Sequence, residues 1–440
     1  MIVMLRGEGR YGRIRGAPSV IPSVATISIG GPRVRLGPDV LRRVFKAFQY
    51  RDFRLMWIGA CTSTIGTWMQ ATAQAWLIYK LSHSALLLSL DPVLATIPIF
   101  LLSLVGGVVA DRFERRYVLM ASQYVQMFCA FLLTALVGFG VVRVWHILAC
   151  SFIGGFGPAF GGPAYSALIP TLVDKEDMPN AIALNSMQFN AAVMVGPAVG
   201  ALVLARLGQT WCFALNGVSF IAPIIALYML TIRFLPAKTE ESVVDSMKQG
   251  FSFIRRQGAM AGLIALAFTM TFLAIPSRTL LPIFAKDIFG RGAPTYAMFV
   301  SLTGAGSIIG ALTIAGFGNY KRKGRVALVM MILLGGTLLT FALSRSIELS
   351  CVALFLSGAC IMAVFTSVTS LVQLVVTNEM RGRVMSVFNF AFRGGMTAGN
   401  LAAGSLVPIF SAPRVLAAYG MLLAGAAVYY LLGQRRVAEL

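Results

Sequence analysis

Twelve long apolar stretches, separated by short polar ones, follow one another from residue 54 to the end of this 440-residue chain. They lie near 55–79, 84–110, 117–141, 145–170, 182–206 and 211–232, then 259–284, 293–317, 326–345, 348–376, 384–408 and 412–432. Each reaches the roughly 20 residues a helix needs to cross about 30 Å of hydrocarbon. Backbone polar groups in lipid must be satisfied within the segment, so spans of this length are helices. A membrane β-barrel would show alternating segments of about 10 residues, which the sequence lacks. The expected fold is an all-α membrane protein of twelve transmembrane helices. Only 12% of the residues are charged and 58% are hydrophobic, against about 25% charged in soluble domains. Such a chain cannot cover a water-facing surface with polar groups, and the lipid bilayer is its expected solvent.

The formal net charge of +21 has a position as well as a size. With the N-terminus on the cytoplasmic side, the inner segments carry 28 Lys and Arg and the outer loops seven; Arg278 and Arg393 remain within spans. That is the asymmetry of the positive-inside rule, and it predicts an even number of crossings with both termini cytoplasmic. No basic groove with interleaved aromatics occurs, so nucleic acid is not an expected partner. Residues 1–50 read as a basic, disordered N-terminal tail, 51–232 as a six-helix bundle, 233–257 as a cytoplasmic linker and 258–440 as a second six-helix bundle. An amphipathic helix is possible at 244–253.

The two bundles echo each other. Residues 185–203 align with 389–407 at a constant shift of 204, placing Asn185 on Asn389 and Gly200 on Gly404. The loop after span 2, at 111–116, corresponds to 319–324 after span 8. Matching positions in a six-plus-six plan point to duplication, giving two six-helix pseudo-repeats. Repeats that enclose a midplane site are a transporter design.

The six cysteines sit in apolar runs without a C-x-x-C pair, and the two histidines fall at span ends. No metal site, cofactor or Walker loop is expected. No nucleophile, base and orienting group fall at a recognisable spacing, so no catalytic residue is assigned and an enzyme is not expected.

Two motifs stand out. Gly106-Gly107-Val-Val-Ala-Asp111-Arg112-Phe-Glu114-Arg115-Arg116 joins spans 2 and 3. Gly107 is expected to permit close helix contact. Asp111, at a helix C-terminus where the dipole is already negative, wants donors, either Arg112, Arg115 and Arg116 or another helix N-terminus. A basic turn that only sets topology is the alternative. The second motif is Gly196-Pro197-Ala-Val-Gly200 in span 5, whose glycines share a face with Ala192 and can bring backbones together.

The first motif resembles the loop 2–3 signature of the major facilitator superfamily, where it acts as a gate latch against span 11. The resemblance runs from about Phe45 onward, and in detail the chain looks like the branch of the enterobactin exporter and macrolide efflux proteins. Tyr50-Arg51-Asp52-Phe53-Arg54-Leu55, Gly66-Thr-Trp68-Met69-Gln70, Gln74-Ala75-Trp76-Leu77, Ala167-Leu168-Ile169-Pro170, Pro179-Asn180-Ala181 and Leu281-Pro282-Ile283-Phe284-Ala285 carry it. The Gly196-Pro197 motif resembles that of exporters. Two arginines of the branch are replaced here, by Val193 and Tyr165. The resemblance implies the major facilitator fold in a bacterial cytoplasmic (inner) membrane. It also implies export of a small molecule driven by protons, for which a monomer suffices. A receptor or assembly protein on the same scaffold, or an importer, is the alternative.

Charged and amide side chains inside spans are the site candidates. Asp91 is the one acid well inside a span; it either exchanges a proton or caps a break at Pro92. Arg393, Asn389 and Asn400 share one face of span 11, which is expected to border a cavity. Gln70 and Gln74 in span 1 and Tyr165 in span 4 either bind substrate or join helices. Arg278, near the end of span 7, can snorkel outward.

Overall fold

The computed structural model describes residues 45–231, 251–255, 257–317, 323–377 and 380–433. The expected tail up to residue 44, and the expected linker and amphipathic helix up to residue 250, lie outside the described residues, while 251–255 are helical. Twelve long helices, with short helical pieces at Lys46–Gln49 and 251–255, make up most of the described residues, and no strand occurs among them. The first six long helices are α1 (Arg51–Ser82), α2 (Ala85–Arg112), α3 (Arg115–Gly138), α4 (Val144–Leu168), α5 (Met178–Arg206) and α6 (Gln209–Tyr228). The second set is α7 (Gly258–Ile288), α8 (Ala293–Phe317), α9 (Lys323–Leu343), α10 (Ile347–Val375), α11 (Arg381–Phe410) and α12 (Ala412–Leu432). Ten are long and apolar enough to cross a membrane. The other two, α1 with 32 residues and α11 with 30, are long enough but diluted by polar side chains.

Local chemistry sets the ends and breaks. Ser84 and Ser346 cap α2 and α10, their hydroxyls accepting from the amides of Leu87 and Leu349; this satisfies a donor left free at a helix start. Pro223 and Pro276 cannot donate to the carbonyl four residues back. Accordingly α6 is interrupted after Ser219 and α7 after Ala274. The end of α7, Phe284–Ile288, is a π turn.

The packing repeats. In the first half α2 packs on α4, α1 on α5, and α3 on α4 and α6. In the second half α8 packs on α10, α7 on α11, and α9 on α10 and α12. The halves meet where α5 packs on α8 and α11 on α2, again a related pair. Glycines make the tight crossings. A side chain at Gly155 of α4 would strike the Ala95 carbonyl of α2, and one at Gly358 of α10 the Thr303 carbonyl of α8. These are equivalent positions of the two halves.

The face where α1 begins, which carries most of the charge, is the basic face; the opposite one is the far face. The largest buried cluster joins both halves, with Trp76, Tyr79, Phe213, Tyr296, Phe299 and Leu416 among its members. A second cluster near the basic face, around Phe53, Leu119, Leu168, Leu184 and Leu227, is built from first-half residues. Side-chain hydrogen bonds between the halves gather at the far face. Tyr79 donates to Asp287, Tyr296 donates to the Thr72 carbonyl at 3.0 Å, and Lys286 meets His83 at 3.0 Å. Trp76 stacks on Tyr296 with centroids 5.5 Å apart. The π turn of α7 carries both Lys286 and Asp287 to this closure.

Candidate functional site

A chain of hydrogen bonds runs through the first half and ends on Asp91. Gln70 and Gln74, one turn apart on α1, share a face. Asn216 of α6 donates to Gln70 Oε1 at 2.7 Å. Gln70 donates to Gln74 Oε1 at 3.2 Å, and Gln74 Nε2 donates to Asp91 Oδ1 at 2.7 Å. All three amides therefore point their donors the same way, toward the carboxylate, an arrangement in which neighbouring bonds polarise one another. The hydroxyl of Ser151 on α4 completes the site, 2.5 Å from Asp91 Oδ1 and 2.7 Å from Gln74 Nε2. Ser151 and Asn216 carry no motif and were not expected from the sequence.

Helix α2 is continuous from Ala85 to Arg112, so Asp91 does not cap a break at Pro92. It lies inside the helix, six residues from the start, or about 9 Å at 1.5 Å per residue. The Ser151 hydroxyl lies within reach of two acceptors, Asp91 Oδ1 and the Ile147 carbonyl at 3.0 Å. It can donate to an ionised Asp91. It can equally turn to Ile147 and accept from a protonated one. A single rotor thus serves both charge states of the carboxyl without leaving a buried group unpaired.

The remaining candidates stand in other places. Tyr165 donates to Asn185 Oδ1 at 2.9 Å, apart from the Asp91 chain. On α11, Asn389 and Arg393 are exposed, whereas Asn400 on the same face is buried and accepts from Thr279 of α7 at 2.8 Å. That face passes from an open region toward the basic face into a packed one toward the far face. Phe390 beside it meets Phe100 of α2 edge-on at 5.3 Å.

In the loop 2–3 motif it is Gly106, not Gly107, that makes the close contact. A side chain at 106 would strike the Ala159 carbonyl of α4, while nothing lies within 4 Å of Gly107. A paired Gly-Gly does not reveal which member faces the neighbour. The side chain of Asp111 lies outside the described ones. Two of its expected partners bond carbonyls at helix C-terminal ends, Arg115 to Ala167 and Arg116 to Tyr228, both at 2.9 Å. Cations are favoured there by the free carbonyls and the dipole. Arg112 is exposed. Gly196, Gly200 and Ala192 are buried on the face of α5 turned to α1, with Gly196 against Trp68 and Gly200 against Met69; Pro197 lies within the helix between them.

The Tyr50–Leu55 motif forms a buckle at the basic face. Tyr50 donates to Asp174 at 2.8 Å and to Asp177 at 3.0 Å. Asp177 also accepts from Lys46 at 2.6 Å and from Gln49 at 2.9 Å. Asp52 holds the chain beyond α6 through Thr231. The hydrogen bond from Lys46 is the main cause holding the Asp177 carboxyl below its ordinary 3.8. The same bond raises the Lys46 ammonium above 10.5. A depressed carboxyl contributes stability above its unfolded value and loses it as pH falls through the folded one. A raised ammonium contributes below its unfolded value and loses it as pH rises through the folded one. The contribution should therefore be flat at neutral pH and fall away below pH 3.8 and above pH 10.5. Melting curves across pH check this: D177N should flatten the acid limb relative to the unmodified protein, and equal acid limbs would refute it.

A family model described as transmembrane secretion effector matches residues 43–439. The chain is similar to macrolide efflux protein A of Streptococcus pyogenes, 23% identical over 382 residues, covering 85% of this chain and 92% of that protein. It is similar to the enterobactin exporter EntS of Shigella boydii, 25% identical over 399 residues, covering 87% and 92%. In fold it is similar to a bacterial homologue of the human lysosomal transporter Spinster. The TM-score is 0.69 at 12% identity, over 88% of this chain and 97% of that one.

Proposed function

Because the chain belongs to the transmembrane secretion effector family of the major facilitator superfamily, a family of membrane transporters rather than enzymes, we propose that it exports a hydrophobic or amphiphilic small molecule in exchange for protons. The substrate would be siderophore-, drug- or antibiotic-like, as the names of its relatives suggest. The membrane is the bacterial cytoplasmic one, the basic face and both termini lie on its cytoplasmic side, and one chain suffices. The observation that carries the reading is the intramembrane Asp91 with its donors Gln74 and Ser151. A carboxyl placed there is costly, and a hydroxyl that serves both of its charge states suits a proton carrier. Support for alternating access comes from the far-face closure between halves and from the exposed Asn389 and Arg393 of α11 toward the basic face.

The test is accumulation of a macrolide and of a catecholate siderophore in everted vesicles with an imposed proton gradient. An exporter in this orientation fills the vesicles, and dissipating the gradient empties them. No movement of either compound, with protein present and folded, would favour the alternative for which the replaced arginines at Val193 and Tyr165 leave room: a receptor or assembly protein on the transporter scaffold.

The far-face closure gives a second test. Tyr79→Cys with Asp287→Cys should be joined by a short bifunctional thiol reagent, and joining should stop transport while each single variant under the same reagent keeps it. Undiminished transport after cross-linking would mean that this face does not open.

A further inference from the structure

The repeat that relates the two halves also relates the charges within their spans. At the 204-residue shift Gln74 of α1 falls on Arg278 of α7. For α2 and α8 the shift is 208, because Ala95 and Thr303 play the same part against the equivalent glycines Gly155 and Gly358. Asp91 therefore falls on Phe299, which is fully buried. The first half holds an amide, a hydroxyl and a carboxylate together. The second half holds a guanidinium and a hydroxyl, with a phenyl ring where the carboxylate would be.

Arg278 does not snorkel outward. Its Nη2 donates to Ser307 of α8 at 3.1 Å, and Ser307 in turn reaches the carbonyls of Thr303 and Gly358. Its Nε is buried and makes no hydrogen bond among the described residues. No acidic side chain among the described residues pairs with it. The neighbouring Thr279 is engaged with Asn400 of α11, and the α7 segment carrying both packs on α1 and α2 as well. An arginine offers five donors in a planar fork suited to a carboxylate. Here one donor is used among the described residues. A cation held within a membrane span without a counter-ion is costly, and the cost is relieved when an anion arrives.

We propose that Arg278, with Ser307, is the recognition site for an oxyanion, carboxylate-like in shape, on the transported molecule. This names a substrate class for the export reading and rests on it for the word transported. The second half would then select organic acids, while Asp91 in the first half handles the proton. The site is distinct from Arg393, which stands exposed on α11.

The test uses matched acid and amide probes, so that only the charge differs: dansylglycine against dansylglycinamide, and dansylphenylalanine against its amide. Binding to the full-length protein in lipid nanodiscs is followed by dansyl fluorescence. At least one acid should bind roughly tenfold or more tighter than its amide, the scale of a charge-assisted hydrogen bond. R278Q should erase that difference by weakening the acid more than the amide, and R278K should restore part of it. S307A, which keeps the charge, should reduce the difference and guards against a folding defect in R278Q. Equal binding of acids and amides by the unmodified protein, failure of both acids to bind, or a preference that survives R278Q would each overturn the proposal. Acid selectivity through Arg278 without vesicle transport would leave the site standing and sink the export reading; transport without acid selectivity would do the reverse.

Discussion

Asp91→Asn is expected to abolish uphill accumulation of substrate while leaving the protein folded. The side chain keeps its shape but can no longer take up and release a proton at neutral pH. A driving force of 100 mV is worth about 2.3 kcal/mol per charge moved. With 1.4 kcal/mol to each factor of ten, that is a concentration ratio of roughly fifty. The variant should therefore fall from a ratio of that order to about one in gradient-driven vesicles. Downhill exchange of labelled for unlabelled substrate needs no net proton movement and should persist. Stability is the control, because the Asn carbonyl oxygen can accept the bonds from Gln74 and Ser151 that Asp91 Oδ1 accepts. S151A should retain accumulation at a slower rate, since Gln74 still reaches Asp91. Full gradient-driven accumulation by D91N would remove Asp91 from the coupling step, and loss of both exchange and folding would make its role structural.

Which parts of this site were legible in the sequence follows from what each residue does. Long apolar runs and alternating charge reveal spans because lipid constrains every residue of a span. The two spans too polar to meet the apolar measure, α1 and α11, are those that carry Gln70, Gln74, Asn389, Arg393 and Asn400. A polar side chain in a span is visible in sequence; its partner need not be. Ser151 sits in a run of Cys, Phe and Gly, and serines in helices commonly bond the carbonyl four residues back, as this one also does to Ile147. Nothing in its neighbours distinguishes it. Asn216 had a signal, an amide inside an apolar span, of the same kind that marked Gln70. Arg278 had one too, because the 204-residue shift sets it on Gln74. Gly106 and Gly107 could not be told apart, since facing depends on helix rotation, which two adjacent glycines do not fix.

Gly200→Val should part α1 from α5 and take the site with it. A Cβ at 200 would lie 2.6 Å from the Met69 carbonyl oxygen and 2.9 Å from its Cα. Both are backbone atoms and cannot swing aside, so the helices must separate. Overpacking of this kind costs about 1–3 kcal/mol where neighbours can adjust, and a backbone contact belongs at the upper end. Met69 immediately precedes Gln70, so a shift of α1 here also displaces the amide chain that leads through Gln74 to Asp91. Melting temperature and accumulation should fall together. Gly107→Val is the matched control, because nothing lies within 4 Å of that position and its melting temperature should be unchanged. A Gly200→Val protein that melts and transports like the parent would mean that α1 and α5 do not cross at this glycine. The small residues of the Gly196-Pro197 motif would then need another explanation than helix contact.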